Sequence, residues 1–84
     1  MKGRTRRRRM RALMHMLVAN EQMEREANEV LDYWTRKAAD DGSTWAVDAR
    51  LCWARIELAE LLRERRMINS EIADLRRDEQ RRPG

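Results

Sequence analysis

Residues 45–75 read WAVDARLCWARIELAELLRERRMINSEIADL, and two apolar stripes run through them. One has Val47, Leu51, Ala54, Leu58, Leu61, Ile68, Ile72 and Leu75, at alternating steps of four and three, with Arg65 filling the one gap. The second has Trp45, Ala49, Cys52, Ile56 and Ala59. Steps of four and three belong to a helix, since residues three and four apart share a face. At 100° per residue the two stripes lie on nearly opposite sides, with Arg50, Glu57 and Glu64 in one strip between them and Asp48 and Arg55 in the other. A helix apolar on opposite sides needs two neighbours.

Upstream, Leu13, Asn20, Ala27 and Trp34 recur every seven residues. Met16, Met23 and Val30 follow the first three of them, and Leu17 and Leu31 widen the stripe. This predicts a first helix over about residues 6–39 with a coiled-coil seam. Asn20 is the polar residue of that pattern: either a seam Asn that fixes register at a cost in stability, or a helix-surface Asn at the seam edge. Between the helices, Asp40-Asp41-Gly42-Ser43-Thr44 is the turn: Gly42 suits the left-handed position after a helix, and Ser43 or Thr44 can cap the next. The second helix spans about residues 45–80, and residues 81–84 form a tail.

The fold class is therefore all-α, an antiparallel hairpin of two long helices. Side-chain size sets its expected pairing. Trp34 opposite Ala49, Leu31 opposite Cys52, Ala27 opposite Ile56 and Met23 opposite Ala59 match large to small. That gives the Trp45–Ala59 stripe to the first helix and leaves Val47, Leu51, Ala54, Leu58, Leu61, Ile68, Ile72 and Leu75 for another chain. A dimeric four-helix bundle is the simplest closed solution. Trp53 lies beside the stripes and is the aromatic expected to be partly exposed. Trp34, Trp45 and Cys52 are expected to pack.

Composition agrees with this class. The chain of 84 residues has room for one small domain, with one Pro, three Gly and 40% charged residues. A β-sandwich, a Rossmann unit or a disulfide scaffold is not expected on those counts, and Cys52 has no second cysteine to pair with. The single His15 and single Cys52 suggest no metal site, and no cofactor is implied. Ala12–Ala19 after a basic start resembles a short signal peptide, but the run is short and His15 interrupts it, so no cleaved leader is expected. No stretch reaches the ~20 apolar residues of a membrane span, and a cytoplasmic location is expected.

Charge is distributed unevenly. Lys2, Arg4, Arg6, Arg7, Arg8, Arg9 and Arg11 stand in residues 1–11 without an acid, while the remainder of the chain has more acids than bases. Residues 1–11 thus form a basic arm, with residues 1–5 expected to be disordered and the rest opening the first helix. Guanidinium groups fork onto phosphate oxygens and release counterions, so these seven residues are the candidate nucleic-acid contacts, with an acidic protein surface, anionic lipid or a merely solvated arm as the other readings. The run from Thr5 to Arg11 resembles the arginine-rich RNA-binding segments of phage antiterminators and the basic arms that hold nucleic acid in capsids. That resemblance implies a small accessory or regulatory protein of a phage or mobile element.

No catalytic constellation is expected from these residues. No Gly-rich phosphate loop and no Ser/His or Cys/His arrangement occurs, and the many Glu residues sit at helical spacing beside Arg. Leu61-Leu62-Arg63-Glu64-Arg65-Arg66 followed by Glu71-Ile72-Ala73 resembles the first helix of all-helical chorismate mutases. Those enzymes need two further helices, and no active-site role carries over. The hairpin is similar in size to WXG-type helical proteins, without a Trp-x-Gly at the turn. The expectation is a dimeric, non-enzymatic interaction protein that binds nucleic acid through its arms. Two alternatives remain at this point: an adaptor or inhibitor docking an apolar seam on a larger protein, and a structural assembly component.

Overall fold

A computed structural model describes residues 3–81. Two helices account for nearly all of them: α1 over Gly3–Asp41 and α2 over Trp45–Arg81. They pack antiparallel as a rod with extents of 63 × 15 × 14 Å. Its radius of gyration is 18.8 Å, well above the ~12 Å of a rounded domain of this length. With no third layer, everything buried lies between two cylinders.

The boundaries follow from local chemistry. α1 ends where Gly42 takes φ 85°, the left-handed conformation that a Cβ disfavours. Thr44 is the cap of α2: its Oγ1 accepts a hydrogen bond from the Val47 backbone N–H at 3.2 Å. Its carbonyl accepts from the Asp48 N–H at 2.9 Å. Ser43 donates its hydroxyl to Asp48, placing that carboxylate in the first turn of α2, where the helix dipole favours it. Asp40 and Asp41, expected in the turn, belong to α1. At the other end α1 begins at Gly3, so residues 3–5 are helical rather than disordered. Met1 and Lys2, and the tail beyond Arg81, lie outside the described residues.

The expected pairing is reversed. Val47, Ala54, Leu61, Ile68, Ile72 and Leu75 are buried against α1, with Leu51 and Leu58 half-buried beside them. These residues, assigned from the sequence to another chain, are covered by the hairpin itself. Cys52, Ile56, Ala59 and Trp45 face outward instead. On α1 the seam runs through Leu13, Leu17, Asn20, Glu24, Ala27, Leu31, Trp34 and Ala38, all buried or half-buried, while Met16, Met23 and Val30 are exposed. The axial level is close to the one that size matching gave: the Arg50 guanidinium carbon stands 5.6 Å from the Trp34 ring centroid, one residue from the expected Ala49. The turn of α2 about its own axis is what differs.

Length explains the choice. The α1 seam needs cover from Met10 to Ala38. The Trp45 stripe stops at Ala59, after which the same side carries Arg63, Arg66 and Arg77. The Leu/Ile seam continues to Leu75, and its last residues form one cluster with Leu13, flanked by Met10 and Leu17. Each Leu or Ile removed from water contributes about 1.5–3 kcal/mol, several times what an Ala can offer. With one partner helix available, the longer and larger stripe is the one buried.

The middle of the rod is polar. Asn20, 1% exposed, donates from Nδ2 to the Leu61 carbonyl at 2.8 Å and accepts at Oδ1 from Arg65 Nε at 2.9 Å. Arg65 Nη2 stands 2.6 Å from Glu24 Oε2, a Coulombic contact outside hydrogen-bond geometry that leaves both atoms without another partner. The two seam irregularities in the sequence, Asn20 and Arg65, are thus one network.

Candidate nucleic-acid interface

The arm is the first two turns and more of α1, and its arginines divide by the side of the helix they occupy. Arg6 lies seven residues before Leu13, on the seam, and is half-buried, with its Nε buried and unpartnered. Arg9 is tied across the hairpin: its Nε donates to Glu71 Oε2 at 2.6 Å. That hydrogen bond holds the Glu71 carboxyl below its ordinary range and raises the Arg9 guanidinium further. Both side chains are largely solvated, so the pair adds little stability and mainly sets the position of the arm.

Arg4, Arg7, Arg8 and Arg11 are exposed and line one shallow concavity. Their spacing of three, one and three residues places all four guanidinium groups on one face. Among the described residues none of these four makes an ion pair. A second concavity is lined by Gly3, Arg6, Arg7, Met10 and Glu79, where the end of α2 adjoins the arm. Arg76, Arg77 and Arg81 add to this end, with Arg77 paired to Asp74. Across residues 3–11 and 71–81 nine arginines stand against four acids.

The turn end has the opposite bias. Residues 26–57 hold seven acids and four bases. Lys37 pairs with Asp41 at 3.1 Å, and the Asp41 hydrogen bond raises its ammonium above the ordinary value. α1 is charged against its own dipole at both ends, with no acid in the first turn and no base in the last. Positive side chains at a helix N-terminus repel the partial positive charge there, and an anion relieves both.

Of the sequence-derived phosphate contacts, the structure brings Arg4, Arg7, Arg8 and Arg11 together, turns Arg6 and Arg9 toward α2, and leaves Lys2 outside the described residues. Sequence reading missed the role of Glu71 and the inward side of the arm. The signal was present: Arg6 and Met10 each lie seven residues before a seam residue, Leu13 and Leu17. Cys52, expected as packing, is exposed. Trp53, expected as the accessible aromatic, is 71% exposed, and Trp45, expected in the core, is 86% exposed. Among the described residues no helix is long and apolar enough to cross a membrane, and no group of three or more His, Cys, Asp or Glu could hold a metal ion. No family model matches the chain, and neither a curated protein nor a solved structure matches it.

Proposed function

We propose that this chain is a binding protein rather than an enzyme, a helical hairpin that engages the phosphate backbone of nucleic acid through its basic end and works as a dimer. One observation carries the reading. Arg4, Arg7, Arg8 and Arg11 share one face and one concavity, and no acid of the described residues neutralises them. Four guanidinium groups kept together against mutual repulsion, at the positive end of a helix dipole, are stabilised by a row of phosphates. The contact expected is with the backbone, as the sequence carries no RNP motif, zinc finger or helix-turn-helix that would direct base reading.

Fluorescence anisotropy on labelled duplex DNA, duplex RNA and single strands tests this. Four phosphate contacts on a duplex give a log–log salt slope near about −3.6, a loss of roughly 150-fold in affinity from 50 to 200 mM salt. Replacing Arg4, Arg7, Arg8 and Arg11 by Gln should abolish binding. Salt-independent binding, or full binding by that variant, would reject the reading.

A second reading is favoured by a different observation. Trp45 and Trp53 are exposed on the outer side of α2, which suits an adaptor or assembly component that docks on another protein. Under it the purified chain binds a larger protein regardless of its arginines.

A further inference from the structure

The outer side of α2 carries the exposed Trp45, Cys52, Trp53, Ile56 and Ala59, with Ala49 half-buried between the two tryptophans. Trp45 is 86% exposed, Trp53 71% and Ile56 44%. Two exposed tryptophans within three helical turns, with Ile56 beside them, form a contiguous apolar patch of the kind that often marks an interaction site. We propose that this strip is covered by the same strip of a second copy, with the two α2 helices antiparallel across a two-fold axis that passes between Cys52 and Trp53.

Complementarity carries the proposal. With the axis there, Ala49 near the centre line faces the partner's Ile56, Cys52 on one flank lies beside the partner's Cys52, and Trp53 on the other lies beside the partner's Trp53. Small meets large at the centre, small meets small on the first flank, and the two Trp53 rings can stack on the second. In an antiparallel pair each flank of one helix meets the same flank of the other. The first flank has Asp48 and Arg55, which places Asp48 beside the partner's Arg55. The second has Arg50 and Glu57, which places Arg50 beside the partner's Glu57. The Arg50 guanidinium rests on the Trp34 ring of α1 and has to turn outward to reach that carboxylate. Symmetry doubles both pairs, so four opposite-charge contacts frame the apolar strip. A parallel pair would satisfy similar charges but would set two arginine arms side by side. The antiparallel pair sends them to opposite ends of the assembly.

Area is consistent with a modest dimer. An aromatic residue buries about 150–250 Å², so four tryptophans supply on the order of 600 Å². Ile56, the small residues and the stems of the flanking charges bring the total to roughly 1,000 Å², the lower bound for a specific interface.

The inference rests on the proposed dimer and not on its phosphate chemistry, so the test is run without nucleic acid. Light scattering at tens of micromolar should give twice the chain mass of 10.1 kDa. It should do so equally for Arg7→Glu/Arg8→Glu, which removes phosphate binding alone. Ile56→Glu and Trp53→Ser each change an exposed residue, so far-UV helicity should persist while self-association weakens by at least about thirtyfold. Direction is read by oxidation with diamide, which takes two electrons and two protons from a pair of thiols as the disulfide forms. Ala49→Cys/Cys52→Ser and Ile56→Cys/Cys52→Ser chains should cross-link when mixed and not when alone. A monomeric mass, an unchanged dimer in both surface variants, or cross-linking of each chain with itself would overturn the proposal. Monomers that still bind nucleic acid would overturn this surface and spare the arm.

Discussion

Asn20 and Arg65 meet across the hairpin, the asparagine Oδ1 accepting from the guanidinium Nε at 2.9 Å, with Glu24 on the far side of the same arginine. Arg65→Leu should cost about 1–3 kcal/mol, since it leaves a buried acceptor and a half-buried carboxylate without their partner. Replacing Asn20, Glu24 and Arg65 together by Leu should be neutral or stabilising by up to ~4 kcal/mol. Denaturant titration followed by helicity checks both; a triple variant weaker than Arg65→Leu would refute this account.

Leu13 and Leu61 are 1% and 5% exposed, whereas Cys52 faces solvent. Leu61→Ala should cost about 2–5 kcal/mol, enough to unfold much of a hairpin this small. Cys52→Ser at low protein concentration should fall within about 0.5 kcal/mol of the parent. Thermal melts of the two variants should therefore differ widely, and similar melts would mean that the other side of α2 is the buried one.

The arm should respond arginine by arginine. Each of Arg4, Arg7, Arg8 and Arg11 changed to Gln should lower the salt slope on duplex by about 0.9. Arg9→Gln removes the Glu71 contact and should change the slope less. Equal effects from all five would show that net charge, not the face, governs binding.

Acidification has a definite sign. The Arg9 hydrogen bond holds Glu71 below the ordinary carboxylate value of 4.5, so its contribution is present above that value and is lost as pH falls through the lowered one. Tm should hold steady from pH 8 to pH 5 and decline below pH 4. Glu71→Gln should reduce that decline slightly, as the pair is solvent-screened. A larger acid loss in the variant would reverse the assignment.

Gly42→Ala should destabilise the hairpin by about 1 kcal/mol. Nothing lies within 4 Å of a Cβ built there, so the cost is backbone conformation at φ 85° alone. Gly42→Asn, which tolerates that region better, should recover part of the loss in a denaturant titration.

Much of this was legible in the residues. Gly42 and Thr44 fix the turn through chemistry confined to five residues, and the steps of four and three fix both helices. The face that α2 turns inward was not. Size matching over Trp34, Leu31, Ala27 and Met23 weighs a few layers near the turn. The outcome depends on total apolar area along the whole rod, which Ile68, Ile72 and Leu75 decide from its far end. Asn20 and Arg65 were each visible as irregularities in a seam, but their union depends on rotation and so was hidden with it. The basic face of the arm came through as composition, while its division into outward and inward arginines needed the seam to be extended back to Arg6 and Met10.

The arm leans on the last turns of the other helix, through Met10 packed against the Leu13, Ile68, Ile72 and Leu75 cluster and through Arg9 on Glu71. Its arginines oppose a helical start, so their regular shape is borrowed from that support. A cut or a premature stop after residue 70 would leave every positive charge of the arm in place and remove the wall behind it. Such a shortened chain would keep its attraction for anions as a loose polycation and lose the fixed spacing of its four guanidinium groups.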